Sequence, residues 1–378
     1  MQYRKFGKLD FKVSALGFGC MRLPIIGKDS SKIKEKEAIR MIRYAIDNGV
    51  NYIDTAYGYH EGKSEVLVGK ALKNGYREKI KLADKLPVYL IDSKTSPDKI
   101  LNQQLKRLNL DYIDFYLLHG INKDTWDKSK QIDIISWLEK KQKEGKIKHI
   151  AFSFHDDFDV FKEIVDAYGK WAFAQIQYNY LDINFQAGIK GLKYAASKGL
   201  GIVIMEPLKG GKLASDLPKQ IKSKFQSYDK KRNPADFALE WLWNQKEIST
   251  VLSGMSTIKQ VKENIKSADK SEINSLSKKE LNLIEKVRKE FEKLYPIPCT
   301  KCNYCMPCPN GVNIPYNFDL YNDFKAFKNL GSVKWRYLGL PDQKKAKSCI
   351  KCGRCEKLCP QKIEIMKWLK EVEKELGK

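Results

Sequence analysis

Eight of the nine cysteines in this 378-residue chain lie in two short segments near its C-terminal end. Both segments end in Cys-Pro, and their sequences are Cys299-x-x-Cys302-x-x-Cys305-x-x-Cys308-Pro309 and Cys349-x-x-Cys352-x-x-Cys355-x-x-x-Cys359-Pro360. Residues 1–5 are not followed by the apolar stretch of a signal peptide, so we expect a reducing, intracellular setting. Clustered thiols in such a setting indicate metal binding rather than disulfides, whereas the isolated Cys20 is predicted to be an ordinary buried thiol.

The spacing of these cysteines also bears on which metal they bind. Three cysteines separated by two residues each, followed by a fourth cysteine before a proline, favour [4Fe–4S] clusters, and the second segment has the full bacterial ferredoxin spacing. Pairs of Cys-x-x-Cys can instead bind zinc tetrahedrally, which is the alternative. We predict two [4Fe–4S] clusters because the two-residue spacing recurs in both segments.

Four polar residues, Asp54, Tyr59, Lys85 and His119, follow or lie within three successive apolar runs in the first third of the chain. Their types suit the reduction of a carbonyl, because hydride transfer leaves an alkoxide that must be protonated. A tyrosine with a pKa near ~10 is a poor match to neutral pH, but a close lysine cation lowers that pKa. This chemistry requires the chain to bring the four side chains together.

The hydrophobic pattern of the first two thirds of the chain predicts the elements that would position these residues. Short apolar runs alternate with amphipathic helical patterns, several of which end at a glycine. The runs predicted as strands are residues 14–20, 51–56, 80–86, 112–119, 147–154, 173–178, 201–206 and 249–253. Eight strand–helix units predict an α/β fold, a parallel (β/α)8 TIM barrel, whose active sites lie at the C-terminal ends of the strands. A doubly wound open sheet is the alternative, but no G-x-G-x-x-G motif follows the first strand.

A domain boundary is expected after the eighth unit. A long charged helix is predicted over residues 278–294, and Pro296 and Pro298 then break the chain. We therefore predict a barrel domain at residues 1–292 and a small cysteine-bearing domain at residues 293–378.

The predicted strand ends resemble those of the aldo-keto reductase family over about residues 1–290. The segment Asp54-Thr55-Ala56-x-x-Tyr59, with Glu65 downstream, is similar to the family signature. Lys85 and His119 match the third-strand lysine and the fourth-strand histidine of the family.

This resemblance implies a catalytic tetrad that reduces a small-molecule aldehyde or ketone. Tyr59 would be the acid/base, Lys85 would tune its pKa, Asp54 would hold the lysine, and His119 would orient the carbonyl oxygen. Tyr57 competes for the role of Tyr59, but its spacing from Asp54 fits the family pattern less well.

The same resemblance implies a nicotinamide cofactor, NADPH or NADH. Ser153 after the fifth strand and Gln175 on the sixth are expected to hold the carboxamide. Met205 stands where many relatives place an aromatic ring against the nicotinamide, and a methionine can also pack on a ring face.

The adenine-phosphate end of the cofactor is expected at the eighth strand and the helix after it. Gly254 and the Glu263-Asn264 pair match relatives, whereas Gln260 takes the place of a frequent arginine. NADPH preference therefore rests on analogy. The cations that could replace the arginine are Lys259 and Lys262.

Residues 295–365 resemble two-cluster [4Fe–4S] ferredoxins, which implies a ferredoxin-like iron–sulfur domain. Carried over by position, one cluster takes Cys299, Cys302, Cys305 and Cys359, and the other takes Cys349, Cys352, Cys355 and Cys308. The first segment departs from the family spacing, with two residues rather than three between its last two cysteines.

The formal net charge of the chain is +24, and its lysines and arginines are spread along the whole sequence. Such a surface can attract an acidic redox protein such as ferredoxin. A nucleic-acid partner is not expected, because no basic-aromatic motif of known type is present. No apolar run approaches the ~18 residues of a membrane span, so we expect a cytoplasmic protein without a membrane partner.

The two predicted halves differ in how they carry electrons. A nicotinamide gives two electrons together as hydride, whereas a [4Fe–4S] cluster passes one electron at a time, so direct exchange needs a group such as a flavin. The first interpretation is a carbonyl reductase whose clusters are structural or sensory. The alternatives are a flavin-bridged or ferredoxin-linked oxidoreductase, and a non-catalytic electron-transfer subunit on a retained barrel.

Overall fold

The computed structural model describes residues 1–27, 29–92, 96–215, 217–299, 304–359 and 361–378. Of the predicted site residues, Cys302 lies outside the described residues. The chain forms two compact units. The first comprises Met1–Gly210 and Ala235–Ser277, and the second comprises Gly211–Pro234 and Lys278–Lys378.

In the first unit, parallel strands of the described chain close into a barrel. A hairpin formed by β1 (Tyr3–Phe6) and β2 (Leu9–Ser14) precedes it. The barrel strands are β3 (Leu16–Gly19), β4 (Tyr52–Asp54), β5 (Lys81–Leu86), β6 (Ile113–Ile121), β7 (Ile147–Phe154), β8 (Phe173–Gln177), β9 (Gly201–Met205) and β10 (Thr250–Gly254). Successive strands pair with one another, and β10 pairs with both β9 and β3. The predicted (β/α)8 TIM barrel is confirmed.

Helices connect the strands and continue into the second unit. They are α1 (Glu35–Asp47), α2 (Lys63–Ala71), α3 (Pro97–Leu108), α4 (Lys123–Gln131), α5 (Ile134–Lys143), α6 (Phe158–Ala167), α7 (Gly188–Ser197), α8 (Lys219–Tyr228), α9 (Pro234–Trp243), α10 (Ile258–Ala268), α11 (Lys278–Leu294), α12 (Ile314–Phe327), α13 (Leu330–Leu338), α14 (Arg354–Leu358) and α15 (Ile365–Leu376). Within the described ranges, no helix combines the length and the apolar character needed to cross a membrane.

The N-terminal end of the barrel is filled by aromatic side chains. Phe6 of the hairpin is fully buried and stacks on Phe173 at the start of β8, with 5.0 Å between ring centroids. Its ring also meets Phe115 edge-on at 5.3 Å. Gly201 begins β9 beside this ring, and a Cβ there would lie 2.4 Å from Phe6. This packing closes the N-terminal end of the barrel, so an active site is expected at the C-terminal ends of the strands.

The second unit has its own hydrophobic core. Helices α12, α13 and α15 pack together, burying Phe318, Tyr337 and Leu369. The long connection between the two cysteine segments therefore forms a small core, although Trp335 within it is 79% exposed.

The second unit also includes segments that the sequence placed with the barrel. Helix α11 packs against α8 and α12, and Arg232 forms an ion pair with Glu280. The second compact unit therefore includes Gly211–Pro234, and its C-terminal part starts at Lys278, ahead of the boundary predicted between residues 292 and 293.

Candidate active site

Lys85 is the centre of a buried polar cluster at the C-terminal ends of β4 and β5. Its side chain is fully buried, and its Nζ donates to Asp54 Oδ1 at 2.6 Å and to the Thr55 carbonyl oxygen at 2.7 Å. Since β4 and β5 are adjacent parallel strands, Asp54 pairs with Ala83, two residues before the lysine. Burial lowers the pKa of Lys85, but Asp54 and Tyr59 outweigh that effect and raise it overall, so the side chain is a cation.

Tyr59 is the third partner of this lysine. Lys85 Nζ donates to Tyr59 Oη at 3.3 Å. Burial raises the pKa of Tyr59, and the lowering by Lys85 is smaller, so the pKa lies above its ordinary value. Lys85 therefore lowers the pKa of Tyr59 in the predicted direction, but by less than burial raises it. The phenol is neutral at physiological pH, and its hydroxyl can donate a proton.

His119, which lies on β6, is next to Tyr59. The two rings meet edge-on with 6.0 Å between their centroids. Burial, followed by Lys85 and His155, lowers the pKa of His119 to about 3, which makes the imidazole neutral. Among the described residues, its buried Nδ1 has no hydrogen-bond partner. The structure thus brings the four predicted tetrad residues together.

Hydrogen bonds of His60 stabilise the turn that carries Tyr59. No sequence pattern indicated this role for His60. His60 Nε2 accepts a hydrogen bond from the Leu23 N–H at 3.2 Å, so Nδ1 bears the proton and donates to the Ser30 carbonyl oxygen at 2.6 Å. Both His60 and Glu61 have positive φ angles, 51° and 55°. Such φ angles are uncommon outside glycine, although histidine adopts them more readily than most residues.

A second network lies around Glu65, which is fully buried on α2. Arg107 Nη1 donates to Glu65 Oε2 at 2.8 Å, and Gln104 Nε2 donates to Glu65 Oε1 at 3.1 Å and to the Lys85 carbonyl oxygen at 3.0 Å. Burial and then Glu65 raise the pKa of Asp84, which accepts from the Lys85 N–H at 2.8 Å. These residues fix the strand that bears Lys85. Asp84 was not among the predicted site residues. Its position next to Lys85 within a predicted strand could have indicated it.

The three residues predicted to hold the nicotinamide also lie together. Ser153 Oγ is 3.8 Å from Met205 Sδ, and Gln175 Nε2 is 3.7 Å from the same sulfur. Ser153 and Gln175 are paired across β7 and β8, and both side chains are buried. Gln175 Oε1 is buried with no partner among the described residues. An amide oxygen and a hydroxyl in this position suit a carboxamide ligand.

Two residues predicted to bind the adenine-phosphate end of the cofactor form hydrogen bonds to nearby protein groups. Asn264 Nδ2 donates to Ser253 Oγ at 2.9 Å. Gln260 Oε1 accepts from the Ser256 N–H at 2.8 Å, so this side chain closes the turn before α10. A Cβ on Gly254 would lie 3.1 Å from Arg22, a half-exposed cation that the sequence analysis did not consider.

Comparison with known proteins accounts for this arrangement. Residues 15–289 match the Aldo/keto reductase family. The chain belongs to the aldo/keto reductase family. It is 31% identical over 299 residues to probable aldo-keto reductase 1 of Glycine max, covering 69% of this chain and 82% of that protein. It is 28% identical over 312 residues to L-galactose dehydrogenase of Arabidopsis thaliana, covering 78% of this chain and 96% of that protein.

A solved structure gives the same result. Aldo-keto reductase AKR11C1 from Bacillus halodurans, in its holo form, is 29% identical to this chain with a TM-score of 0.62, covering 76% of this chain and 96% of that one. The prediction of an oxidoreductase of this family is confirmed. Residues 298–364 of this aldo/keto reductase match the 4Fe-4S dicluster domain, which confirms the predicted iron–sulfur domain.

Most of the described cysteines of the iron–sulfur domain lie against the core of the second unit. Six of them pack against that core: Cys299, Cys305, Cys308, Cys349, Cys355 and Cys359. Cys352 is exposed. Burial, followed by Cys349 and Glu356, raises the pKa of Cys355 to about 11. Within the described ranges, no group of three cysteine, histidine or acidic side chains is close enough to hold a metal ion. The proposed cluster ligands therefore rest on residue type and spacing.

Cys20 lies apart from these thiols. It is fully buried after β3, and burial raises its pKa strongly. It has the properties predicted for a structural thiol, because a thiol with a raised pKa is a poor metal ligand and nucleophile.

Proposed function

We propose that the barrel reduces an aldehyde or ketone with NADPH or NADH, using Tyr59 as the proton donor. The observation that supports this most is the position of Lys85, whose buried Nζ joins Asp54 at 2.6 Å to the Tyr59 hydroxyl at 3.3 Å. A buried ion pair ending at a neutral phenol can supply a proton and stabilise the phenolate that remains.

The proton moves from Tyr59 Oη to the carbonyl oxygen of the substrate. Lys85 stabilises the resulting phenolate because its ammonium is adjacent and is held as a cation by Asp54. Neutral His119 would orient the same carbonyl oxygen by donating a hydrogen bond from a ring N–H, and its lowered pKa keeps the ring neutral over the physiological range.

A bound nicotinamide would supply the hydride that this proton transfer completes. Ser153 and Gln175 would hold its carboxamide, and Met205 would pack against its ring. Gly254, Gln260 and Asn264 are proposed for the adenine-phosphate end. The cations proposed there for a phosphate are Lys259, which is 83% exposed, and Lys262, with Arg22 as a further candidate.

We propose that the second unit holds two [4Fe–4S] clusters, with zinc as the alternative. One ligand set is Cys299, Cys302, Cys305 and Cys359, and the other is Cys349, Cys352, Cys355 and Cys308. When bound, the clusters would supply one-electron chemistry, and an acidic redox protein such as ferredoxin is the proposed partner.

Replacing Tyr59 by phenylalanine tests the carbonyl reductase. Tyr59→Phe should lower kcat for a reporter aldehyde such as 4-nitrobenzaldehyde by roughly 10²–10⁴-fold, because the proton donor is lost. The Kd for NADPH, measured by fluorescence, should not change. Tyr57→Phe is the matched control, because the Tyr57 hydroxyl donates to Gln103 rather than to Lys85. Equal kcat values for the two variants would rule out Tyr59 as the acid.

The dicluster match supports iron–sulfur clusters in the same chain as the barrel. We therefore propose, as a second candidate function, that electrons pass between the clusters and the barrel through a flavin or another bridge. Anaerobic addition of NADPH to the iron-loaded protein distinguishes the two. Bleaching of the cluster absorption by NADPH without aldehyde would support the bridged function. Unchanged absorption, in protein that still oxidises NADPH with aldehyde, would support clusters that act separately.

A further inference from the structure

The second cysteine segment lies at the surface of the second unit, and its short helix is at most partly buried. Helix α14 (Arg354–Leu358) buries none of its residues. Before it, Lys351 and Gly353 have φ angles of 57° and 73°, and Cys352 between them is exposed. One proposed cluster ligand therefore reaches solvent, which is where an electron would leave or enter.

Apolar side chains flank this exposed cysteine. Ile350 is 62% exposed and Leu358 is 47% exposed. These side chains are adjacent in sequence to Cys349 and Cys359, so they lie next to two further proposed ligands. Exposed large apolar residues beside polar ones are typical of surfaces that associate with another protein.

The charges around these residues are almost all positive. From residue 351 to 362 the chain has four basic residues, Lys351, Arg354, Lys357 and Lys362, and one acidic residue, Glu356. Glu356 is turned towards α15, where its Oε1 accepts from the Met366 N–H at 2.9 Å. In the described part of the chain, none of the four cations forms an ion pair. Elsewhere many lysines do, such as Lys123 and Lys130 with Glu163.

Helix geometry places the cations and an apolar residue on one face. Arg354 and Lys357 are three residues apart, and Arg354 and Leu358 are four apart, so their side chains are neighbours on α14. A partner that meets this face encounters two unpaired cations beside an apolar side chain.

We propose that this surface, formed by Ile350, Lys351, Arg354, Lys357 and Leu358, docks an acidic one-electron carrier protein. The inference rests on the proposed binding of a [4Fe–4S] cluster by the neighbouring cysteines. One electron leaves the reduced carrier and reduces the cluster by one electron, and no proton or chemical group is exchanged. The same contact serves the reverse transfer. Opposite charge speeds the encounter, and the exposed cysteine shortens the path to the cluster.

The test uses the full chain loaded with iron and sulfide, and an acidic bacterial ferredoxin as the probe. The ferredoxin is reduced and freed of reductant, and anaerobic stopped-flow absorbance gives the second-order rate constant of electron transfer. Raising the salt from about 20 mM to about 300 mM should lower this constant by at least tenfold, because screening weakens the attraction. A rate that does not change or that rises with salt would overturn the proposal.

Charge reversal locates the surface. The double variant Arg354→Glu and Lys357→Glu should lower the rate constant at low salt by about 10–100-fold and weaken its salt dependence. The control is Lys289→Glu and Lys293→Glu, which reverses two exposed charges on α11 of the same unit. The control should retain the wild-type rate. Equal rates for the two double variants would show that the docking surface lies elsewhere.

Two further readouts separate the possible causes of a slower rate. Iron content should be the same in the variant and the wild type. The cluster potential is measured for both proteins, because the two reversed charges flank the proposed ligand Cys355. A shifted potential with an unchanged salt dependence would mean that the cations act on the cluster, which contradicts docking. Alcohol formation from NADPH and 4-nitrobenzaldehyde should be unchanged in the variant. Failure of the barrel reaction in the wild type would leave cluster reduction by the carrier measurable, so the two proposals fail independently.

Discussion

A fully buried lysine is stable as a cation only when nearby groups compensate its charge, and three oxygen atoms do so for Lys85. The same burial keeps Tyr59 protonated and His119 neutral, because each charged form would lose hydration. Lys85 is therefore a cation, whereas Tyr59 and His119 next to it are neutral, and each state suits the role proposed for that side chain.

These pKa directions predict the pH dependence of the reaction. With its pKa lowered to about 3, His119 is neutral throughout the range above that value, so it contributes no loss of activity on mild acidification. Because the pKa of Tyr59 is raised, the phenol stays protonated beyond pH ~10. The kcat/KM for aldehyde reduction should be nearly flat from about pH 6 to about pH 9. An acid limb near pH ~6.5 that vanishes in His119→Asn would contradict this account.

At the scale of elements, the turn between β4 and α2 decides where the phenol lies. Two consecutive residues with positive φ angles, His60 and Glu61, turn the chain just after Tyr59. Hydrogen bonds connect the His60 ring to the backbone of Leu23 and Ser30 and stabilise this turn. Strand pairing alone would place Asp54 near Lys85, but only this turn brings the tyrosine hydroxyl to the lysine.

Removing the His60 side chain should therefore disturb the tyrosine. His60→Ala leaves the Leu23 N–H and the Ser30 carbonyl without partners and should lower the free energy of unfolding by about 1–3 kcal/mol. We expect kcat to fall with little change in the Kd for NADPH, as measured by kinetics and ligand titration. His60→Asn tolerates the positive φ and should recover part of the loss. An alanine variant with wild-type kcat would show that the turn does not depend on His60.

The sequence predicted the elements that its hydrophobic pattern encodes and missed those that depend on caps or distant contacts. The barrel strands are apolar runs, so they were identifiable. Helix α4 was missed because its sequence is mostly polar, and it starts at a capping box between Asn122 and Thr125. Asp54, Lys85 and His119 could be predicted because the adjacent strands β4, β5 and β6 carry them. Tyr59 could be predicted because its spacing from Asp54 resembles the family signature. The contact of His60 with Leu23 could not, because no periodicity connects residues in separate loops.

At the scale of the whole chain, the catalytic and iron–sulfur functions belong to different compact units. Asp54, Tyr59, Lys85 and His119 all lie in the first unit, and the eight clustered cysteines lie in the sequence range of the second. The positive charge is spread over both, so the net charge of +24 does not mark either function. Each function should therefore respond to its own substitutions.

Cysteine substitution tests this separation. Cys352→Ser should lower the iron content by about half, because one of two clusters loses a thiolate ligand. The barrel should still reduce aldehyde with NADPH. Cys20→Ser is the control, since this thiol is fully buried in the first unit and should leave the iron content unchanged. Elemental analysis that finds zinc, or full iron in the Cys352 variant, would contradict the proposed ligand sets.

Transfer of an isotope from cofactor to product tests the central claim most directly. The iron-loaded protein is mixed anaerobically with NADPH deuterated at the transferring C4 position and with 4-nitrobenzaldehyde, and the alcohol is analysed by mass spectrometry. We predict one deuterium in each alcohol formed and one alcohol for each NADPH oxidised, with the cluster absorption unchanged. Oxidation of NADPH that bleaches the clusters and yields no deuterated alcohol would contradict a carbonyl reductase at the Tyr59 site.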